Sequence, residues 1–211
     1  MNYYIRYKNT NFVPFGLNSN MKHSRENIIE GGIQILSVHG YQGTGIQQIL
    51  KSLDIPKGSF YNYFKSKEDF VIEAVELYGK GGLEMYKKAL TDKSKSPLNR
   101  IIKGMEETQQ KYVSEHFEKS CLLDILAIGV GGSNKRVAKI IDAIFEERKE
   151  IHAKCIEEGQ ELGEIRIDEK AVDLAEFLLT GYSGAQLKSK IEKSIRPMKM
   201  FTNQYLNYIK K

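Results

Sequence analysis

Residues Thr44 to Asp69 read TGIQQILKSLDIPKGSFYNYFKSKED, and the fold is read outward from them. Ile46, Ile49, Leu50 and Leu53 recur at i, i+3, i+4 and i+7, which is one apolar face of a short helix. Asp54 and Ile55 form a turn, with Ile55 as its apolar plug. Pro56 suits the first turn of a second helix, where its missing N–H is no loss. Phe60 and Phe64 give that helix one buried side and leave Lys57, Gly58, Ser59, Tyr61 and Asn62 for the outside. Two short helices joined by a tight turn are the geometry that lays a helix into the major groove of DNA.

The outward residues carry matching chemistry. Lys57 and Lys67 can neutralise phosphates, and Lys57 can reach a guanine edge. Gly58 lets the helix start approach a duplex closely, and the hydroxyls of Tyr61 and Tyr63 can bond phosphate oxygens. From Tyr41 to Lys67 there are four lysines against one aspartate, so the segment is locally basic. A single lysine or tyrosine on a short helix is ordinarily just a solvated side chain. The turn spacing gives the set its meaning.

The run PKGSFYNYFKSKEDF resembles the signature of TetR-type transcriptional regulators, in which Gly-Ser/Thr-x-Tyr-x-Tyr/His-Phe-x-Ser/Asn-Lys spans the recognition helix and the start of the next. The likeness runs from about Ser24 to Tyr78, and beyond it the chain is similar in length and helical pattern. The resemblance implies an all-α fold: an N-terminal three-helix DNA-binding domain, then a larger helical bundle for ligand binding and dimerisation. It implies that Thr44, Tyr61, Tyr63 and Lys67 hold phosphates while Lys57, Gly58, Ser59 and Asn62 face bases. This chain has Ile49-Leu50 and Leu53-Asp54 where the family has Ile-Ala and Ala-Gly, and Gly31 and Gly32 where it tends to have Ala. The bulkier Leu50 and Leu53 imply slightly shifted packing.

Residues 1–20 are rich in Asn and Tyr and show no period, so they read as a dispensable extension before a natural start at Met21, the alternative being a basic arm (Arg6, Lys8, Lys22) that touches DNA. The expected organisation is a DNA-binding domain over 21–67 and an effector and dimerisation domain over 68–211. A first helix runs from a Ser24 cap to Gly40, with Ile28, Ile29, Ile33 and Leu36 inward. Ser66 and Asp69 form a near capping box for a helix whose buried face is Phe70, Ala74, Leu77, Tyr78 and Gly81. Further helices are expected from Pro97, from about Lys119 to a stop at Gly131-Gly132, from a Ser133 or Asn134 cap, from an Asp168 cap, and from about Ser194.

Met and aromatic residues at inward positions of the middle helices predict a pocket for an uncharged or weakly polar small molecule. Its candidate lining is Met105, Gln109, Tyr112, Cys121, Phe145, His152, Phe177 and Tyr182, although most such residues are core. Cys121, at a helix start beside Lys119, sits where a thiolate is favoured, its alternative being a small buried hydrophobe. The small residues Gly181, Gly184 and Ala185 allow close helix approach, either within one chain or between two. In the family resembled here, the C-terminal helices form the dimer, which implies a homodimer.

Composition excludes other classes. The 211 residues are 41% hydrophobic and 28% charged, with net charge +5, as in a globular chain with a polyanionic partner. No apolar stretch approaches the roughly 20 residues of a membrane span. Two cysteines make no disulfide framework and point to a reducing cytoplasm. No Gly-rich phosphate loop, nucleophile elbow or metal-binding spacing is present, so no catalytic residue, metal or cofactor is expected. The sequence therefore predicts a ligand-responsive repressor that binds a double-stranded palindromic operator as a homodimer. The alternatives are a small-molecule-processing enzyme and a helical adaptor without DNA regulation.

Overall fold

The computed structural model of the protein describes residues 24–130 and 134–211. The expected extension over 1–20, Met21, the Gly131-Gly132 stop and the Ser133 cap lie outside them. Among the described residues there are nine helices: α1 (Arg25–His39), α2 (Ile46–Leu53), α3 (Lys57–Tyr63), α4 (Lys67–Leu90), α5 (Pro97–Ser114), α6 (Leu122–Val130), α7 (Lys135–Glu161), α8 (Ala171–Glu192) and α9 (Arg196–Ile209). The described residues form two compact units, one of residues 24–81, 121–130 and 134–142, the other of 82–120 and 143–211. Helix α6 and the first two turns of α7 thus go with the helix-turn-helix, a grouping the expected 21–67 segment did not include. Helices α4 and α7 each contribute residues to both units.

In the first unit, the Ser24 side chain accepts the Asn27 N–H at 3.2 Å to start α1, and Gly40 ends it at φ 68°, a conformation open to glycine. Ile28, Ile29, Ile33 and Leu36 are buried, as their spacing predicts. At the head of α4 the Asp69 N–H donates to Ser66 Oγ at 3.1 Å while that hydroxyl donates to Asp69 Oδ2 at 2.9 Å. Asn134 caps α7, its Oδ1 accepting the Val137 N–H at 3.0 Å. The buried face of α4 is Phe70, Val71, Ala74 and Val75, with Leu77 37% exposed. That corrects the expected stripe: the inward face is rotated by about one residue, toward the two β-branched valines.

The glycines of α1 account for the unusual residues opposite them. A Cβ on Gly32 would lie 2.0 Å from Cζ of Phe70, and one on Gly31 would lie 2.3 Å from a Leu53 methyl. The missing side chains on α1 thus make room for Leu53 and for the Phe70 ring. Small residues on α1 face large ones at both contacts.

The second unit is built on α5, α8 and α9, with α8 packed along α9. Its core includes Ile101, Met105, Ile156, Leu174, Met198 and Tyr205. Arg100 is 3% exposed and ties the α4–α5 connection to α7: it donates to the Leu90, Asp92 and Lys95 carbonyls and to both carboxylate oxygens of Glu158, at 2.8 and 3.2 Å. A buried guanidinium this completely paired is satisfied rather than costly. Asp168 does not cap α8. The helix begins after Lys170 without a side-chain cap, and Arg166 grips the Asp168 carboxylate, its Nε lying 2.6 Å from Oδ1. A charge-assisted fork outcompetes a backbone N–H for that carboxylate.

Candidate nucleic-acid interface

The turn between α2 and α3 is set by two residues. Asp54 adopts the left-handed conformation (φ 52°, ψ 51°) that short polar side chains tolerate. Ile55 is 7% exposed, and its N–H donates to the Leu50 carbonyl at 3.0 Å, so the plug is seated as the sequence predicts. Pro56, extended at φ −63° and ψ 145°, precedes α3. Phe60 and Phe64 are buried and pack with Phe70, ring centres 5.1 to 5.5 Å apart. Three interlocked aromatic rings fix the orientation of a helix only seven residues long, which could not be stable alone.

That anchoring leaves the opposite side of α3 outside. Lys57, Gly58, Tyr61, Asn62 and Tyr63 are exposed and Ser59 is half-buried. The Lys57 ammonium lies 5.7 Å from the Tyr61 ring centre, one turn along. Nothing lies within 4 Å of a Cβ placed on Gly58, so no internal packing demands glycine there. What a side chain at that position would obstruct is an approach from outside.

Two of the expected phosphate contacts are placed differently. Thr44 is fully buried, and its hydroxyl has no hydrogen-bond partner among the described residues. Lys67 is half-buried; its ammonium donates to the Tyr41 carbonyl and lies 4.0 Å from the Tyr41 ring centre. Burial lowers its pKa from the ordinary lysine value. Sequence reasoning also missed Arg136, which pairs with Glu68 at 2.9 Å and Asp69 at 3.6 Å. Neither contact leaves a spacing signal, because the partners stand 26 and 68 residues apart.

Seven of the eight expected effector residues fall in the second unit, and Cys121 falls in the first. Gln109 Nε2 donates to Thr202 Oγ1 at 3.0 Å, and the Tyr182 hydroxyl donates to the Met105 carbonyl at 2.8 Å. His152 is 7% exposed, donates from Nδ1 to the Arg148 carbonyl at 2.8 Å and packs on Tyr86. Burial pushes its pKa down to about 4, so the ring is neutral at neutral pH. Tyr112 is buried and Phe145 half-buried. Phe177 is 48% exposed and lines a cavity of about 340 Å³ with Glu169, Asp173, Phe201, Tyr205 and Tyr208; it is the one expected pocket residue that does.

Cys121 directly precedes α6 and is half-buried, and Lys119 is engaged by Glu115 at 3.6 Å. Burial pushes the thiol of Cys155 up to about 11, which makes it inert. Among the described residues, no three His, Cys, Asp or Glu are grouped to hold a metal ion, and no helix is long and apolar enough to cross a membrane.

Comparison with known proteins agrees with this geometry. Residues 28–74 match the family model for bacterial regulatory proteins of the tetR family, and residues 97–205 match the tetracyclin repressor-like C-terminal domain. The chain is 32% identical to the HTH-type transcriptional repressor DhaR of Mycobacterium sp. strain GP1 over 181 residues, 84% of this chain and 87% of that one. It is 29% identical to the transcriptional regulator AcuR of Cereibacter sphaeroides, over 86% of this chain and 83% of that one. The crystal structure of a regulatory protein TetR from Rhodobacter sphaeroides superposes with a TM-score of 0.84 at 28% identity, covering 90% of this chain and 99% of that one. With both halves matched and relatives aligned over most of their length, the chain belongs to the TetR family of bacterial transcriptional regulators, which bind DNA and are not enzymes.

Proposed function

We propose that the protein is a cytoplasmic repressor that grips a palindromic operator as a homodimer and leaves it when a small molecule binds the second unit. One observation carries the DNA reading: Phe60 and Phe64 are locked inward, so Lys57, Gly58, Tyr61 and Asn62 stand together outside on α3. Lys57 and Asn62 supply base-edge chemistry, and Tyr61 and Tyr63 supply hydroxyls for phosphates. Repression follows the named relatives, DhaR among them.

The dimer reading rests on α8. Phe177, Thr180, Gly184, Leu187 and Ile191 fall on one side of it, and all five are exposed. A stripe of this kind is unusual on a chain that works alone. Nothing lies within 4 Å of a Cβ placed on Gly184, which leaves room for a neighbouring helix. Two copies paired through this stripe by a two-fold axis would present two α3 helices to two half-sites.

The effector reading rests on the buried polar cluster of Gln109, Thr202 and Tyr182, which suits a neutral molecule that exchanges hydrogen bonds with it. Helices α4 and α7 belong in part to each unit and are continuous helical links for any coupling, which need amount to only about 1–3 kcal/mol. The experiment is selection of bound duplexes from a random pool, then a screen of small molecules for release from the selected site. Failure to enrich any duplex would refute the DNA reading, and absence of any releasing molecule would refute the effector reading.

A further inference from the structure

Three residues separate α3 from helix α4, which opens with Lys67, Glu68 and Asp69. Its first N–H groups and Lys67 attract phosphate. Glu68 and Asp69 do the opposite: they place two carboxylates a few residues from Tyr63, exposed at the end of the reading helix, and from the exposed Lys65. Asp69 is committed to the cap with Ser66 and cannot be dispensed with there. Glu68 has no such duty. A DNA-binding surface that carries its own repulsive charge needs a compensating cation, and the structure supplies one from 68 positions away. Arg136, in the first turn of α7 and 67% exposed, holds Glu68 at 2.9 Å and Asp69 at 3.6 Å. All of these residues belong to the first unit.

We propose that Arg136 is a positioning residue for DNA binding: it neutralises the Glu68 and Asp69 carboxylates at the head of α4 and so sets the affinity of the reading surface for phosphate without touching a base. It acts on DNA of any sequence, because it changes the local field and not the base contacts. It also makes the start of α7 part of the reading surface. Any rearrangement that withdraws Arg136 uncovers two negative charges beside the duplex and loosens the grip.

The test measures affinity of the full-length protein for a random-sequence duplex by fluorescence anisotropy at low salt, which does not require the operator to be known. Arg136→Ala should weaken binding about two- to fivefold, the range an exposed ion pair supports. Adding Glu68→Gln to that variant should restore most of the loss, and Glu68→Gln alone should bind at least as tightly as the wild type. Lys135→Ala removes the same charge from the neighbouring exposed position, where no ion pair exists among the described residues, and should cost less than Arg136→Ala. The decisive reading is that Glu68→Gln gains more affinity in the Arg136→Ala background than in the wild type, since loss of folding or of a direct phosphate contact would leave the two effects additive. A loss that Glu68→Gln fails to repair would overturn the proposal, as would wild-type affinity in Arg136→Ala or an equal loss in Lys135→Ala. Should Arg136→Ala not fold, weaker binding by Glu68→Gln alone overturns it too.

Discussion

The Lys67 ammonium donates to the Tyr41 carbonyl and sits 4.0 Å from the centre of the Tyr41 ring, so a residue expected to reach for phosphate is first anchored to the turn after α1. The two roles are compatible. An ammonium has three donors, and one bond to Tyr41 fixes the chain while the others remain. Tyr41 therefore positions the cation that the duplex would meet.

This relationship separates two variants. Lys67→Ala removes a charge-assisted hydrogen bond and a ring contact, together worth roughly 1–2 kcal/mol of stability at a half-buried site. It should also weaken binding to all duplexes alike and make the salt dependence shallower by about one unit of slope. Tyr41→Leu keeps the carbonyl and loses the ring, so it should weaken binding less, and again regardless of sequence. Anisotropy titrations across a salt series check both. Unchanged binding by Tyr41→Leu would show that the ring does not position Lys67.

The adjacent glycines of α1 should respond oppositely to alanine. At Gly32 the obstacle is the ring of Phe70, which is fully buried and cannot move, so Gly32→Ala should cost about 1–3 kcal/mol by overpacking. At Gly31 the obstacle is the end of the half-buried Leu53 side chain, which can turn aside. The helix-propensity gain of about 1 kcal/mol then offsets the shift, and Gly31→Ala should be close to neutral. Chemical denaturation measures the difference. Equal costs at the two positions would contradict the packing described.

The two glycines of α8 should separate folding from assembly. A Cβ at Gly181 would lie 2.2 Å from the Phe201 ring of the same chain, so Gly181→Leu should damage folding itself. Gly184 faces open space, so Gly184→Leu should leave the fold intact, weaken the dimer and weaken DNA binding together. Light scattering should give the wild type near twice 24.1 kDa and shift Gly184→Leu toward the single-chain mass. A wild-type monomer that bound a palindrome tightly would contradict the dimer reading.

His152 gives a pH signature. Its folded pKa of about 4 lies below the ordinary 6.5, so the unfolded chain takes up a proton first as pH falls. Its contribution to stability is complete above pH 6.5, declines between there and about 4, and is gone below. His152→Leu should lose stability at neutral pH and flatten the melting temperature across that window relative to the wild type. An unchanged pH profile in the variant would contradict the buried neutral imidazole.

The reading helix was legible because its signal is local. Ile55, Phe60 and Phe64 lie within ten residues, and each is buried as its spacing requires. The Ser24, Ser66 and Asn134 caps were legible for the same reason. Asp168 was misread because its local pattern fits a cap equally well, and only the neighbouring Arg166 decides its partner. Leu77 was misread because a helical period alone does not choose between two adjacent faces when Val71 and Val75 compete with it. The Tyr41–Lys67 and Arg136–Glu68 contacts were invisible because they join distant positions through tertiary structure. The pocket candidates show the same limit. Met105, Gln109 and Tyr182 meet in one buried hydrogen-bonded cluster, whereas Phe177 lines a cavity that none of them borders and Cys121 belongs to the other unit.

The most direct test of the account is selection of bound duplexes from a random pool, run in parallel with wild type and Lys57→Ala. The wild type should enrich an inverted repeat whose half-site centres lie about one helical turn apart, roughly 34–36 Å, or a multiple of it. Lys57→Ala should enrich the same repeat with relaxed preference at one position, mirrored in the two half-sites. No enrichment by the wild type, or an identical preference at every position in the variant, would contradict the claim that α3 of a symmetric dimer reads the operator.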